Sequence, residues 1–277
     1  MTMIGVHTPE FSFARDRSQV KAAVGRLGIR WPVVLDNEQQ IWQAYANRYW
    51  PTLYLIDPDG YIRYRHVGEG GYKQTEEAIQ ELLRMVQPQL ELSPVMEPIR
   101  PEDAPGAVCF PTTPELHIDS FGNQQPMTTI PALFEFPQEF SEDRFYLQGW
   151  WKQEKDGLTM LSDEGSILLP YRAASVNGVF SASPDPVELN LELAEPRILE
   201  IHQDGEPLLK TNFTEDHFLS EGNARVRVDH ARTYALVKND DVRSRELTIK
   251  INGSGFTMYA FSFGSCIVPE SFGEEPE

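Results

Sequence analysis

The chain has 277 residues, enough for two ordinary domains, and its 40% apolar and 11% aromatic content suffices to bury a core in each. Its 24 basic against 42 acidic residues give a net charge of -18, a field that repels nucleic acid and anionic membrane surfaces and so excludes nucleic acid as a partner. No apolar run approaches the roughly 18 to 20 residues of a membrane helix, and the N-terminus has neither the basic nor the apolar region of a secretory signal. As written, the sequence reads as soluble and carries no address.

Up to residue 87, helix-period and strand-period segments alternate, the mark of an α/β unit. "MTMIGVHTPEF" opens the chain as a buried parallel strand around Ile4 and Val6. Val20, Val24 and Leu27 then fall at helical spacing between the candidate cap Ser18 and the stop Gly28. "WPVVLD" reads as a short strand. Asn37 is the candidate cap of a helical segment in which Ile41 and Tyr45 share a face beside Trp42. "TLYLID" and "YIRYRHVG" form a hairpin across the turn "DPDG". Ile79, Leu82, Leu83 and Val86 complete the half as an amphipathic helix, with Thr75 as its candidate N-cap.

"PQLELSPVMEPIRPEDAP" follows as a semi-rigid linker over 88–105, because its five prolines lack donors and fix φ. Beyond it the apolar period becomes two: Val187, Leu189, Leu191 and Leu193, then Leu247, Ile249 and Ile251, then Tyr259, Phe261 and Phe263. Turn signals such as "QDGE", "NGSG" and "SDEGS" separate the strands, so residues 106–269 read as a two-sheet β-sandwich of jelly-roll-like type. The acidic end, 270–277, has nothing apolar to bury and is expected to be a disordered tail.

Three stretches, "GVHTPEFSFARD", "NRYWPTLYLIDPDGYIRYRHVGEGGY" and "RPEDAPGAVCFPTTPEL", together resemble the extracytoplasmic C-terminal region of DipZ-type thiol-disulfide interchange proteins. Weaker matches in the second half are "YLQGWW", "IHQDGEPL" and "YAFSFG". The resemblance implies a thioredoxin-like domain followed by a carbohydrate-binding-module-like sandwich, in an extracytoplasmic compartment. It further implies that Pro51 is the cis-proline of the thioredoxin-like pattern, and that Trp50, Pro51 and Thr52 line the path of an extended peptide or protein substrate. The bland alternatives are a trans-proline at a strand start and core aromatics.

Such domains exchange disulfides through a Cys-x-x-Cys pair at a helix N-terminus, where the thiol pKa is lowered. This sequence has no such pair, so no catalytic residue is assigned. By the resemblance, the strand and helix that carry the pair precede "MTMIGVHTPE" and sit between the "IGVH" and "TLYLID" strands. The chain is therefore expected to represent a truncated thioredoxin-like half over residues 1–87, with a gap that invites a missing N-terminal segment.

Cys109 and Cys266 are the only cysteines, and both read as buried structural thiols close to apolar strand sequence. None of the six histidines has a second ligand type at a recognised spacing, so neither a metal nor any cofactor is expected. Trp150 and Trp151 are adjacent and must face opposite sides of a strand. Each alone reads first as core, but an exposed one would stack on a sugar ring, making the pair a candidate carbohydrate site. Acidic groups in "SDEGS" and "FTEDHF" supply no facing acid and base pair, and neither a nucleophile elbow nor a phosphate loop is present. Two readings follow: a thioredoxin-like protein that is redox-inactive as written, or a non-catalytic binding protein that uses the sandwich for a carbohydrate or protein ligand.

Overall fold

The computed structural model describes residues 1–100, 103–104, 106–118, 129–191 and 193–267. The expected tail, 270–277, lies outside them. By compactness the chain falls into two units. One comprises Met1–Leu35 with Cys109–Ser265, and the other comprises Asp36–Val108 with the segment from Cys266 onward. No helix among the described residues is long and apolar enough to cross a membrane.

In the first unit, strands β1 (Gly5–His7) and β2 (Val33–Leu35) form a parallel two-stranded sheet flanking helix α1 (Arg17–Arg26). The cap of α1 is Asp16 rather than Ser18, because the Asp16 carboxylate accepts from the backbone N–H groups of Ser18 at 2.7 Å and Gln19 at 3.2 Å. In the second unit, α2 (Gln40–Ala44) is held in the same way by Asp36, not Asn37. Buried Asp36 accepts from the N–H of Ile41 at 3.0 Å and of Trp42 at 2.8 Å.

Strands β3 (Thr52–Ile56) and β4 (Ile62–Val67) form the expected antiparallel hairpin across "DPDG". Helix α3 (Tyr72–Val86) starts after Gly71, three residues ahead of the expected cap. Thr75 instead lies buried in the helix, with its Oγ1 3.3 Å from the Tyr64 hydroxyl. The proline-rich segment after α3 has no regular element through residue 100. It is tied back to that helix, since Gln80 Nε2 donates to Ser93 O at 2.9 Å and Met96 N–H to Glu76 at 2.9 Å.

The remaining strands are short β5 (Val108–Cys109), β6 (Leu116–His117), β7 (Ala132–Phe134), β8 (Tyr146–Gln153), β9 (Leu158–Met160) and the long β10 (Glu164–Ser181). After them come β11 (Arg197–Gln203), β12 (Glu206–Pro207), β13 (His217–Ser220), β14 (Asn223–Val228), the long β15 (Arg232–Asn252), β16 (Thr257–Gly264) and β17 (Cys266–Ile267). Eleven of these strands, β6 to β16, form one sheet organised about β10.

On one edge β10 pairs with β15 along its length, while its other edge is shared between β8, at Ser166–Leu168, and β16, at Ser175–Ser181. The path from β10 through β16, β9 and β8 thus returns to β10 and wraps a core. Side-chain period explains what fills it. Ile167, Leu169, Tyr171 and Ala173 are each 0% exposed; beyond the register shift after Ala173, the inward set changes parity to Val176 and Phe180, also 0%.

One stretch read as alternating strand is different. Residues Pro186–Asn190 form a short helix, α4, leaving Val187, Leu191 and Leu193 exposed. Proline at the helix start and the Asp185 carboxylate, which accepts from Val187 N–H at 2.8 Å, favour the turn over an extended chain. The "QDGE" turn does join β11 to β12, with Asp204 and Gly205 at φ of 53° and 82°.

Burial is uneven. Among the described residues, Val20 is the only buried hydrophobic side chain before Leu116, and every member of the main apolar cluster lies at or beyond Leu116. Ile4, Val6, Val34, Ile56 and Ile62, which alternate as core strands should, are exposed. The β1–β2 and β3–β4 pairs are separate two-stranded sheets. A two-stranded sheet with a wet apolar face has little to stabilise it.

Candidate peptide-binding face and exposed aromatic strand

The residues expected to line a peptide path lie on the loop into β3. The Trp50–Pro51 peptide is cis. Pro51 O accepts from Gly68 N–H at 2.8 Å, tying the loop to the end of β4. Thr52 Oγ1 donates to Tyr49 O at 2.7 Å, and Asn47 Nδ2 donates to the same carbonyl at 3.2 Å.

Trp42 of α2 supports the loop, with its ring centroid 4.3 Å from that of Trp50. Tyr45 packs edge-on against Tyr54 at 5.1 Å, and the Tyr54 hydroxyl donates to Tyr45 O at 3.2 Å. The supported face is open: Trp50 is 50% exposed and Tyr49 62%. It offers aromatic surface beside a hairpin and holds no nucleophile. Trp42 was legible only as a member of a helical face; that it backs Trp50 depends on the tight turn after α2, where Ala46 takes a φ of 50°.

Neither cysteine is a free thiol. Cys109 and Cys266 are both disulfide-bonded, which corrects their reading as buried structural thiols. Neighbouring sequence says how apolar a cysteine's strand is, but not which distant strand the fold brings beside it.

In the first unit, β8 separates the adjacent tryptophans as strand geometry requires. Trp151 is 1% exposed, and its indole Nε1 donates to Gln148 O at 3.0 Å. Trp150 is 47% exposed and stands directly opposite Leu133 of β7, itself 56% exposed. The Trp150 backbone is fixed on both sides, its N–H donating to Ser162 Oγ at 3.1 Å and its carbonyl accepting from Leu161 N–H at 2.8 Å. An indole face next to leucine on a rigid strand is a surface for stacking, while Trp151 belongs to the core.

One constellation went unnoticed in the sequence. Glu10, Glu115 and His117 bring a ligand atom each to within 4.8 Å of one another. Spacing rules scan local sequence and cannot pair residue 10 with residue 117.

Known proteins are similar to this chain. Residues 116–264, more than half of the chain, match the family model described as thioredoxin like C-terminal domain. The DipZ proteins of Mycobacterium bovis and Mycobacterium tuberculosis are each 33% identical over 181 residues, covering 64% of this chain and 26% of theirs. The chain thus spans about a quarter of the length of those relatives. Thiol-disulfide oxidoreductase YkuV of Bacillus subtilis is 25% identical over 83 residues, 30% of this chain and 56% of that protein. The resemblance to DipZ-type proteins read from the sequence therefore holds, and the structure, mostly β with few helices, is consistent in outline with a thioredoxin-like part followed by a β-sandwich.

Proposed function

The chain belongs to the family of the thioredoxin-like C-terminal domain, and from that premise we propose that it is part of a DipZ-like thiol-disulfide interchange protein. In this reading its peptide-facing loop is in place and its redox thiols must come from a segment outside these 277 residues. The observation that carries the proposal is the Trp50–Pro51–Thr52 loop, an exposed aromatic face braced from behind by Trp42, in a chain that has no Cys-x-x-Cys. Trp50 contacts an extended peptide or protein substrate, Pro51 shapes the backbone it meets, and Thr52 holds the loop.

The elements β1 to β4 and α1 to α3 are read as parts of an incomplete thioredoxin-like half. Supporting this, β1 and α1 leave an open apolar hollow of about 230 Å³ lined by Val6, Val20, Val24 and Leu27 among others. Such a surface suits a donated strand and helix. The sheet about β10 is read as a jelly-roll-like, carbohydrate-binding-module-like sandwich. An extracytoplasmic location agrees with two disulfide-bonded cysteines, since such bonds persist in oxidising compartments.

With dithiothreitol as reductant, the full chain should reduce insulin no faster than background, because it has no Cys-x-x-Cys pair at a helix N-terminus to supply a thiolate of lowered pKa beside its resolving thiol. Turnover at the rate of a thioredoxin would overturn the proposal that the chain is redox-inactive by itself.

A second reading is favoured by the Trp150 and Leu133 surface, which makes the sandwich a binding module for a carbohydrate or another protein. Trp150 is then the ligand-stacking residue and Trp151 its support in the core. Quenching of indole fluorescence by oligosaccharides, lost in Trp150→Ala, is the expected result for a sugar ligand.

A further inference from the structure

The cluster of Glu10, Glu115 and His117 lies wholly within the first unit, and local structure explains how it is assembled. Strand β6 pairs with β16, setting Leu116 opposite Phe261 and His117 opposite Ala260. Leu116 is 2% exposed in the core, so alternation turns its neighbours Glu115 and His117 together to the other side.

Glu10 arrives on the loop after β1, and that loop is anchored independently. Phe11 and Phe13 stack at 5.8 Å, and both pack on Tyr259 of β16, at 5.4 and 4.9 Å. Phe11 also lies 6.1 Å from the His117 ring. Ser12 Oγ donates to Asp156 at 2.8 Å, and Ser12 N–H donates to the same carboxylate.

The outcome is a convergent donor set of two carboxylates and one imidazole. His117 Nε2 stands 3.7 Å from Glu10 Oε1 and 3.7 Å from Glu115 Oε2. Bonds of about 2.0 to 2.2 Å to a tetrahedral zinc ion place its donors roughly 3.4 Å apart, so small rotations of three side chains would close these distances onto one ion. A cation held among the three groups would offset the repulsion between the two carboxylates. All three residues are at least partly open to solvent, which leaves room for water to complete the coordination.

We propose that Glu10, Glu115 and His117 form a binding site for a divalent first-row transition cation. The imidazole nitrogen favours zinc and its neighbours over calcium or magnesium, which prefer oxygen alone. Bound there, the ion would clamp the loop after β1 to strand β6.

The test is calorimetric titration of the metal-stripped full chain with zinc chloride and, separately, calcium chloride, at neutral pH. Zinc should bind one per chain and raise the melting temperature, whereas calcium should not compete. His117→Ala should weaken zinc binding by about 100-fold or more, since loss of mere outer-shell partners costs about 10- to 100-fold. Glu10→Gln, nearly the same in shape, should also weaken it, and the exposed control His230→Ala should not. Should His117→Ala fail to fold, the imidazole proton signals of His117 in the unaltered chain provide the second readout, and they should shift on adding zinc. Unchanged affinity in Glu10→Gln and His117→Ala, calcium binding as tight as zinc, or no zinc binding would each overturn the proposal.

Discussion

Replacing Trp151 by alanine should destabilise the protein by about 3 to 5 kcal/mol, whereas the same change at the adjacent Trp150 should cost less than about 1 kcal/mol. The two differ only in which way the strand turns them. Trp151 is 1% exposed, packs edge-on against Phe256 at 6.3 Å, and lies between Ala132 of β7 and Met160 of β9 in the sheet. Truncation leaves a cavity and strips the Gln148 carbonyl of its indole donor, adding about 1 kcal/mol to the packing loss. Since a domain is stable by only about 5 to 15 kcal/mol, this variant approaches the limit of folding. Urea denaturation followed by circular dichroism gives both values, and equal losses would contradict the burial of Trp151 alone.

A second large effect is expected at alkaline pH. Tyr171, Tyr234 and Tyr259 are 0%, 0% and 4% exposed, and burial, the largest cause in each case, pushes their phenols up to about 12. For Tyr171 the hydrogen bond from Asn239 opposes that rise, and for Tyr234 the backbone hydrogen bond with His230 does so.

A phenol raised in the folded state keeps its proton where the unfolded chain has released it. Its contribution is therefore complete below pH of about 10, the unfolded value, and is lost as pH climbs towards about 12. A tenfold difference in proton affinity between folded and unfolded chain is worth about 1.4 kcal/mol, so each tyrosine contributes up to about 3 kcal/mol to this loss. Melting temperature should fall steeply above pH of about 10, with phenolate absorbance appearing together with unfolding. Tyr259→Phe should soften the fall, since its hydroxyl makes only a 3.4 Å contact with Ser181 and its removal costs little. Early, fully reversible titration of all tyrosines without unfolding would contradict the burial.

Much of the second half was legible because a strand with one buried face announces itself at period two. Leu247, Ile249 and Ile251 alternate in sequence and are 0%, 0% and 1% exposed. The same rule misled at Val187 to Leu193, where the alternation is real but a capping aspartate and a proline start a helix. Caps were displaced by a few residues because Asp16 and Asp36 reach forward to N–H groups that Ser18 and Asn37 were expected to serve.

Long-range pairings were the illegible part. Nothing local to β10 says that one of its edges is divided between β8 and β16, and nothing near Glu10 points to His117. For the candidate site, the resemblance supplied the Trp50–Pro51–Thr52 loop, and periodicity alone would have left Trp50 as another core aromatic. The first half also shows a limit of pattern reading. Ile4, Val6, Ile56 and Ile62 have the chemistry of core residues, but burial requires partner surface, which the described residues do not supply.

The proposal that a further segment supplies that surface is the centre of the account. A synthetic segment carrying the strand and the Cys-x-x-Cys helix of a DipZ relative, added to the full chain, tests it most directly, with the segment alone and the chain alone as controls. Strand complementation should raise the melting temperature of the chain, and the mixture should reduce insulin faster than the sum of the two controls, with the gain reduced in Trp50→Ala. A segment that neither binds nor adds activity would contradict the account, and the exposed Trp150 strand would then become the functional surface of the protein.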